Sequence, residues 1–556
     1  MRIYILKRSP HLKFVQRFMA GWLAMVILAG FTLWLQFGQL ADYYLVAEPE
    51  AGGTVVEGSL GKITTINPLF PENASSSSAA KLVFSGLVKR NGAGEIVPEL
   101  AKEWQISEDG TEYTFKLNPN IDWHDGQPFS SGDVVFTIQT IQNPDTRSPL
   151  NSSFRDIQVS APDGETIKFK LPTAFAPFLE LMTVGIIPEH ILSRAKPAEI
   201  RILDFNQRPI GTGPFRFEQI LPDQNELHLL ANRNYVQGAP LLSRIVIKTF
   251  DNYEALAEAL KSRLITSVGG FDVYQLDRFQ SIPRVSLAKF PIATQAFVFF
   301  NTQKAGVDNK QLRRALTQAT NLHHIAWLLN GRVEPARSPL LRQQVGYDAS
   351  ILQLPYDQDQ ARKLLEAEGW IAGSDGMRSK SGQPLQFELV SQNNDIYPQV
   401  ANELQQEWQA VGVKLNVKLI SSDELNQSYL RARNYEMILA PISLGSDPDV
   451  YSYWHSSQIQ DPGLNLSLYK SAQADAGLEA GRTRLDPKLR AAKYKTFLMA
   501  WQGDAPAIAL LRHNFFYITR GVTGIDVNFL AEPSDRFHNV HQWYVRTQPT
   551  LKRLTE

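Results

Sequence analysis

One segment limits what this chain can become more than any other. From Phe18 to Phe37 the sequence FMAGWLAMVILAGFTLWLQF carries no charged residue. About 20 such residues cross a bilayer as a helix. Lys7, Arg8, Lys13 and Arg17 precede the run, and a basic flank of this kind stays on the cytoplasmic side. A cleaved signal has a shorter apolar core of about 7–15 residues and a clear small-x-small site. Here the run is longer, and QLADYYLVAEP after it holds only a weak site of that type. The expectation is an uncleaved single-pass anchor at 18–37, with the basic flank 1–17 cytoplasmic. A connector, 38–50, then leads to an extracytoplasmic bulk. No later segment is apolar enough to span a membrane.

The 500 or so residues outside the anchor are too many for one ordinary core, so two or three units are expected. Lys plus Arg and Asp plus Glu number 56 each. That balance lacks the basic surplus of a nucleic-acid binder. Cysteine is absent, which removes disulfides, thiolate metal sites, thiol nucleophiles and a lipid-modified cysteine together.

Apolar periodicity assigns the elements. Tyr113, Phe115 and Leu117 share one face of TEYTFKL, as Ile167, Phe169 and Leu171 do in TIKFKL, which is strand spacing. RIVIKTF (244–250) reads as a third strand. Asp251 and Glu254 are spaced as a capping box for a helix through Lys261. Leu312, Ala315, Leu316 and Ala319 recur at helical spacing. Further helices are read at Asp357–Trp370, closed by Gly369, and at Ala401–Val411, stopped by Gly412. The strand VKLNVKL (413–419) follows, and this strand–helix–strand order argues for an α/β fold.

Several stretches in series resemble solute-binding protein family 5, the peptide- and nickel-binding proteins of ABC importers. ITTINPLF (63–70) and LVFSGLVK (82–89) open the series. The segment Pro98–Ile138 resembles the family signature, with an Ala-x-x-Trp element, a strand, Trp123-His-Asp-Gly126 and a helix start at Asp133-Val134. PIGTGPFRFE, FVFFNTQ with LRRALTQATN, DQDQARKLLEAEGW, DPDVYSYWHSSQ and LDPKLRAAKYKTFLMAWQGDAPAIALL complete it. The resemblance implies a two-lobed, periplasmic-binding-protein-like α/β fold (type II, cluster C) with an extra domain inserted in lobe one. Lobe one is then 51–89, 201–298 and 500–556, the insertion 90–200 and lobe two 299–499. Two chain crossings near 299 and 499 form the hinge, and the ligand lies between the lobes.

The same resemblance implies an importer receptor that captures oligopeptides as a monomer, without a cofactor. It delivers them to a permease and ATPases on separate chains. The segment ISLGSDPDVYSYW (442–454) supplies the expected ligand contacts Ile442, Gly445, Ser446, Asp447 and Trp454, with Asn67 of ITTINPLF opposite. In peptide-binding relatives an acid of this loop holds the ligand's α-amino group. Asp447 and Asp449 are the acids available here, while Leu444 stands at the family's usual acidic position. That departure keeps a nickel chelate, haem or an oligosaccharide open as ligand.

Other motifs have plain structural readings. Trp123-His-Asp-Gly126 reads as a tight turn and Gly211-Thr-Gly-Pro214 as a turn between strands. His323 and His324, adjacent on a helix, point roughly 100° apart and do not chelate one metal easily. His455 reads as a hydrogen-bonded rim histidine, with chelate or haem ligation as its rival. No His-Glu-x-x-His or Gly-x-Ser-x-Gly motif occurs, so a secreted hydrolase is the remote alternative, and the expected activity is binding, not catalysis.

Overall fold

The computed structural model describes residues 10–271 and 273–551; residues 1–9 of the basic flank lie outside them. A helix of 35 residues, Pro10–Tyr44, opens the described chain. Its stretch Arg17–Gln36 has a mean hydropathy of 2.0 and buries nothing against the rest of the protein. By length and composition it can cross a membrane. The helix runs on into the expected connector. Leu45–Pro49 then pairs antiparallel with Thr547–Leu551, so the base of the helix is tied to the other end of the described chain.

One eleven-stranded sheet organises the rest. Lys414–Ile420, Gln386–Gln392 and Met437–Ser443 form one end. Ser267–Gly269, Thr54–Leu60, Arg244–Phe250, Glu226–Ala231 and Phe215–Leu221 form the other. Two long strands, Ser286–Phe300 and Ala507–Thr519, lie between the ends and pair with each other. Both faces of their middle segments are covered, which is why FVFF and AIALL read as unbroken apolar runs. Ala296, Val298 and Phe300 enter a core with helices Lys310–Ala319 and Tyr397–Gln409. Phe297 and Phe299, one residue out of phase, enter the opposite core with Trp454 and Trp501.

The pairing of the long strands shifts register twice, at Pro291/Gln295 and at Ala296/Phe297, and the first break is the larger. Pro291 faces Asn514 and Gln295 faces Arg512, so residues 292–294 stand opposite His513 alone. Proline has no N–H to give to a ladder. The N–H of Ala293 instead donates to the carbonyl of Leu530 at 2.8 Å, and its carbonyl accepts from Leu444 N–H at 2.7 Å. These two strands join the two ends of the sheet. The boundary expected at 499/500 falls within helix Pro487–Asp504, whose Trp501 packs on Trp454 at 5.7 Å.

Residues of the expected insertion form a four-stranded antiparallel sheet, in the order Ala101–Ile106, Glu112–Leu117, Thr166–Lys170, Gln158–Asp163. It shares a core with Thr54–Leu60 and Phe215–Leu221. The boundary at 89/90 falls inside the hairpin Val88–Arg90 with Ile96–Pro98. The helix Tyr253–Lys261 is capped by Asn252, whose side chain accepts from Ala255 N–H, and not by the Asp251–Glu254 box that the spacing suggested.

Candidate ligand cleft

The loop after strand Met437–Ser443 is built almost wholly by its own half of the protein. Leu444 hangs from the strand interruption through Ala293. Gly445 has φ of +66° and open space where a side chain would stand; a Cβ there would be strained by the backbone alone. The Gln344 amide donates to the carbonyls of Leu444, Gly445 and Asp447 at 3.3, 3.1 and 2.9 Å. Asp447 accepts both arms of the Arg490 guanidinium, at 2.7 and 2.6 Å, and its Oδ1 also accepts the N–H of Asp449 at 2.9 Å. Burial opposes the charge on Arg490, but Asp447 outweighs it and pushes the guanidinium pKa above its ordinary value. Asp449 accepts from Arg482 at 2.8 Å. Its other oxygen is buried without a hydrogen bond, and burial raises its pKa against the pull of Arg482.

Ser446 reaches across. Its hydroxyl donates to Glu180 Oε1 at 2.7 Å and accepts from Arg90 Nε at 3.1 Å. Arg90 in turn binds Glu180 at 2.7 Å and Asp535 at 3.4 Å. Burial disfavours that guanidinium charge, and Asp535 with Glu180 more than restore it, so its pKa is raised. Arg90 and Glu180 line a cavity of about 340 Å³ beneath this contact. Helix Ala74–Val83 contributes Lys81, the turn Pro533–Phe537 contributes Asp535, and Phe154 supplies apolar wall. Lys81 stands 3.7 Å from Asp535. A site of this size with an apolar wall and a few convergent polar groups suits a small solute.

A second contact joins the halves nearby. The guanidinium of Arg482 lies 4.2 Å from the ring centre of Tyr451 and 5.0 Å from that of Phe175. The N–H of Ala176 donates to Arg482 O at 2.8 Å. Phe175 and Ala176 belong to the stretch expected as the insertion, and Arg482 to that expected as lobe two. The two halves are therefore in contact at Ser446 and at Arg482.

The sequence-expected contacts divide accordingly. Gly445, Ser446 and Asp447 sit together on the loop, and only Ser446 reaches across. Asn67 lines the cavity but is 1 % exposed, and its amide is spent on Asn206 Oδ1 at 2.9 Å and Leu69 N–H at 3.0 Å. Ile442 and Trp454 need correction. Ile442 is a strand residue paired with Gln295, and Trp454 is fully buried against Phe297, Phe299 and Trp501. Neither side chain borders the cavity. His455 stacks on Tyr451 at 4.0 Å and meets Ser457 and Glu479 through its two nitrogens, at 2.8 and 3.1 Å. The residues missed by sequence reading are Lys81, Arg90, Glu180 and Arg482. They come from distant segments with no shared spacing, so no local pattern marks them.

The two other motifs hold each other. His124 Nε2 lies 3.0 Å from Gly213 O, and His124 Nδ1 accepts from Gly211 N–H at 3.2 Å. Burial outweighs the contact with Gly213 O and brings the imidazole pKa down to about 4, so it is neutral at pH 7. A Cβ on Gly211 would stand 2.0 Å from the carbonyl of Val83. The glycines let this turn press on the end of helix Ala74–Val83, behind the cavity.

The profile of bacterial extracellular solute-binding proteins, family 5, matches residues 95–463. The chain belongs to this family. Among curated relatives, the oligopeptide-binding protein AppA of Bacillus subtilis is 25 % identical over 513 residues, 90 % of this chain and 92 % of that protein. NikZ of Campylobacter jejuni, solved with Ni(L-His), has 26 % identity and a TM-score of 0.74 over 88 % of this chain and 99 % of its own. The fold also matches AppA of B. subtilis solved with a nonapeptide, with 24 % identity and a TM-score of 0.71 over 89 % of this chain and 99 % of that one. The architecture is thus the two-lobed fold of family 5 binding proteins.

Proposed function

We propose that this solute-binding protein is an oligopeptide receptor of an ABC importer, held at the membrane by helix Pro10–Tyr44, with its lobes outside the cytoplasm. The carrying observation is the cavity beside the Ser446 contact, lined by residues expected as lobe one and its insertion, which presents both signs of charge. Lys81 and Arg90 face Glu180, Glu532 and Asp535 around it. A peptide carries an ammonium, a carboxylate and a row of backbone dipoles, which compete on binding for these charges, paired with one another within the protein. The resemblance to an oligopeptide-binding relative supports the same reading. Within it, Ser446 joins the lobes over the solute, and Asp447 shapes the loop through Arg490. Permease and ATPase subunits are separate chains that receive the closed form.

A second reading, a nickel chelate, is favoured by the likeness to NikZ. Among the described residues lining the cavity there is no histidine, which weighs against it. Mass spectrometry of the small molecules released on denaturing the purified full chain separates the two. Peptides of mixed sequence are expected; nickel with a small chelator would replace the peptide reading.

A further inference from the structure

Two carboxylates on lobe two are buried with no lysine or arginine against them. Glu403 and Glu407 stand one turn apart on helix Tyr397–Gln409, 8 % and 7 % exposed. Glu403 Oε1 lies 2.8 Å from His324 Nδ1, and Glu407 Oε2 accepts the N–H of Asn321 at 2.9 Å. Among the described residues, His324 is the one basic side chain at ion-pair distance from either acid. Among the described residues, none donates a hydrogen bond to the remaining oxygen of either carboxylate, and neither oxygen is fully sealed from solvent. Like charges at i and i+4 repel, and a buried charge is costly unless it is paired or coordinates a metal. An ion pair between His324 and Glu403 would leave Glu407 uncompensated.

We propose that His324, Glu403 and Glu407 bind a divalent transition-metal cation. One ligand atom from each lies within 4.8 Å of the others. Tetrahedral coordination at about 2.1 Å sets ligand atoms roughly 3.4 Å apart. Small side-chain rotations close that difference, and the His324 side chain, 43 % exposed, is free to make them. The indole of Trp327 stacks on the imidazole, with centroids 5.8 Å apart and planes at 16°. One imidazole with two carboxylates suits Zn²⁺ or Ni²⁺ better than Ca²⁺ or Mg²⁺. None of the three residues lines the solute cavity, so the site is separate from solute capture. The adjacent His323 takes no part, in keeping with the angle between neighbours on a helix.

Titration calorimetry of the full chain in detergent with zinc chloride tests this. One saturable site is expected, weakened at least about tenfold in Glu407→Gln and in His324→Gln. His324→Gln changes a half-exposed side chain, so it carries the test should Glu407→Gln not fold; thermal midpoints without zinc establish folding. No zinc binding by the unmodified chain, or equal affinity in a folded variant, would overturn the proposal.

Discussion

At Asp447 the expected ligand contact has a strong partner within the chain. Asp447 was the acid nearest the expected ligand position, and it does lie on the loop that meets the other lobe. Its partner, Arg490, is 43 residues further along, and no local pattern announces the pair. With both oxygens on one guanidinium, the carboxylate serves the loop. Asp447→Asn should therefore cost about 1.5–3 kcal/mol of stability, the range for a hydrogen bond to a charged group, read by denaturant unfolding. It should leave the ratio of affinities for a free-amine peptide and its N-acetylated form unchanged. A ratio that collapses in the variant would show the acid on the ligand's amine. Trp454 was misplaced for a related reason. An aromatic beside a functional loop can face either way, and here the sheet's inner side claims it between Phe297 and Trp501.

At the scale of elements, the strands read from alternation are in place. Glu112–Leu117, Thr166–Lys170, Arg244–Phe250 and Lys414–Ile420 all form, because alternation follows directly from the pleat. Not every partner was legible: Arg244–Phe250 pairs with nearby Glu226–Ala231 on one side and with the distant Thr54–Leu60 on the other. Caps and boundaries slipped by a few residues, as at Asn252. The contact between lobes lay beyond sequence altogether. Arg482 is placed there by helix Ala472–Thr483 and sandwiched between Tyr451 and Phe175, from different lobes. A desolvated cation–π contact is worth up to about 2 kcal/mol, and each 1.4 kcal/mol is about tenfold in an equilibrium constant. Arg482→Ala should loosen closure and speed solute release by about ten- to thirtyfold, measured by stopped-flow dissociation. An unchanged release rate would mean that this contact does not hold the closed form.

At the scale of the whole molecule, an eleven-stranded sheet joins the two lobes, and the proposed function depends on how they close. The order of motifs along the chain conveyed that architecture, because each motif marks a turn or buried strand that the family fold requires. Trp123-His-Asp-Gly126 and Gly211-Thr-Gly-Pro214, for example, brace each other through His124. The solute's identity was less legible, since Arg90, Glu180, Ser446 and Asp535 meet only after folding. The central claim is that closure captures a peptide. Thermal unfolding of the full chain in detergent tests it most directly, with pools of di- to decapeptides, nickel with histidine, and oligosaccharides compared side by side. A ligand that binds only the native state at 100 times its dissociation constant adds about 2.7 kcal/mol. The account predicts a raised midpoint with peptides and none with the other two; a midpoint unmoved by peptides and raised by nickel-histidine or a sugar would contradict it.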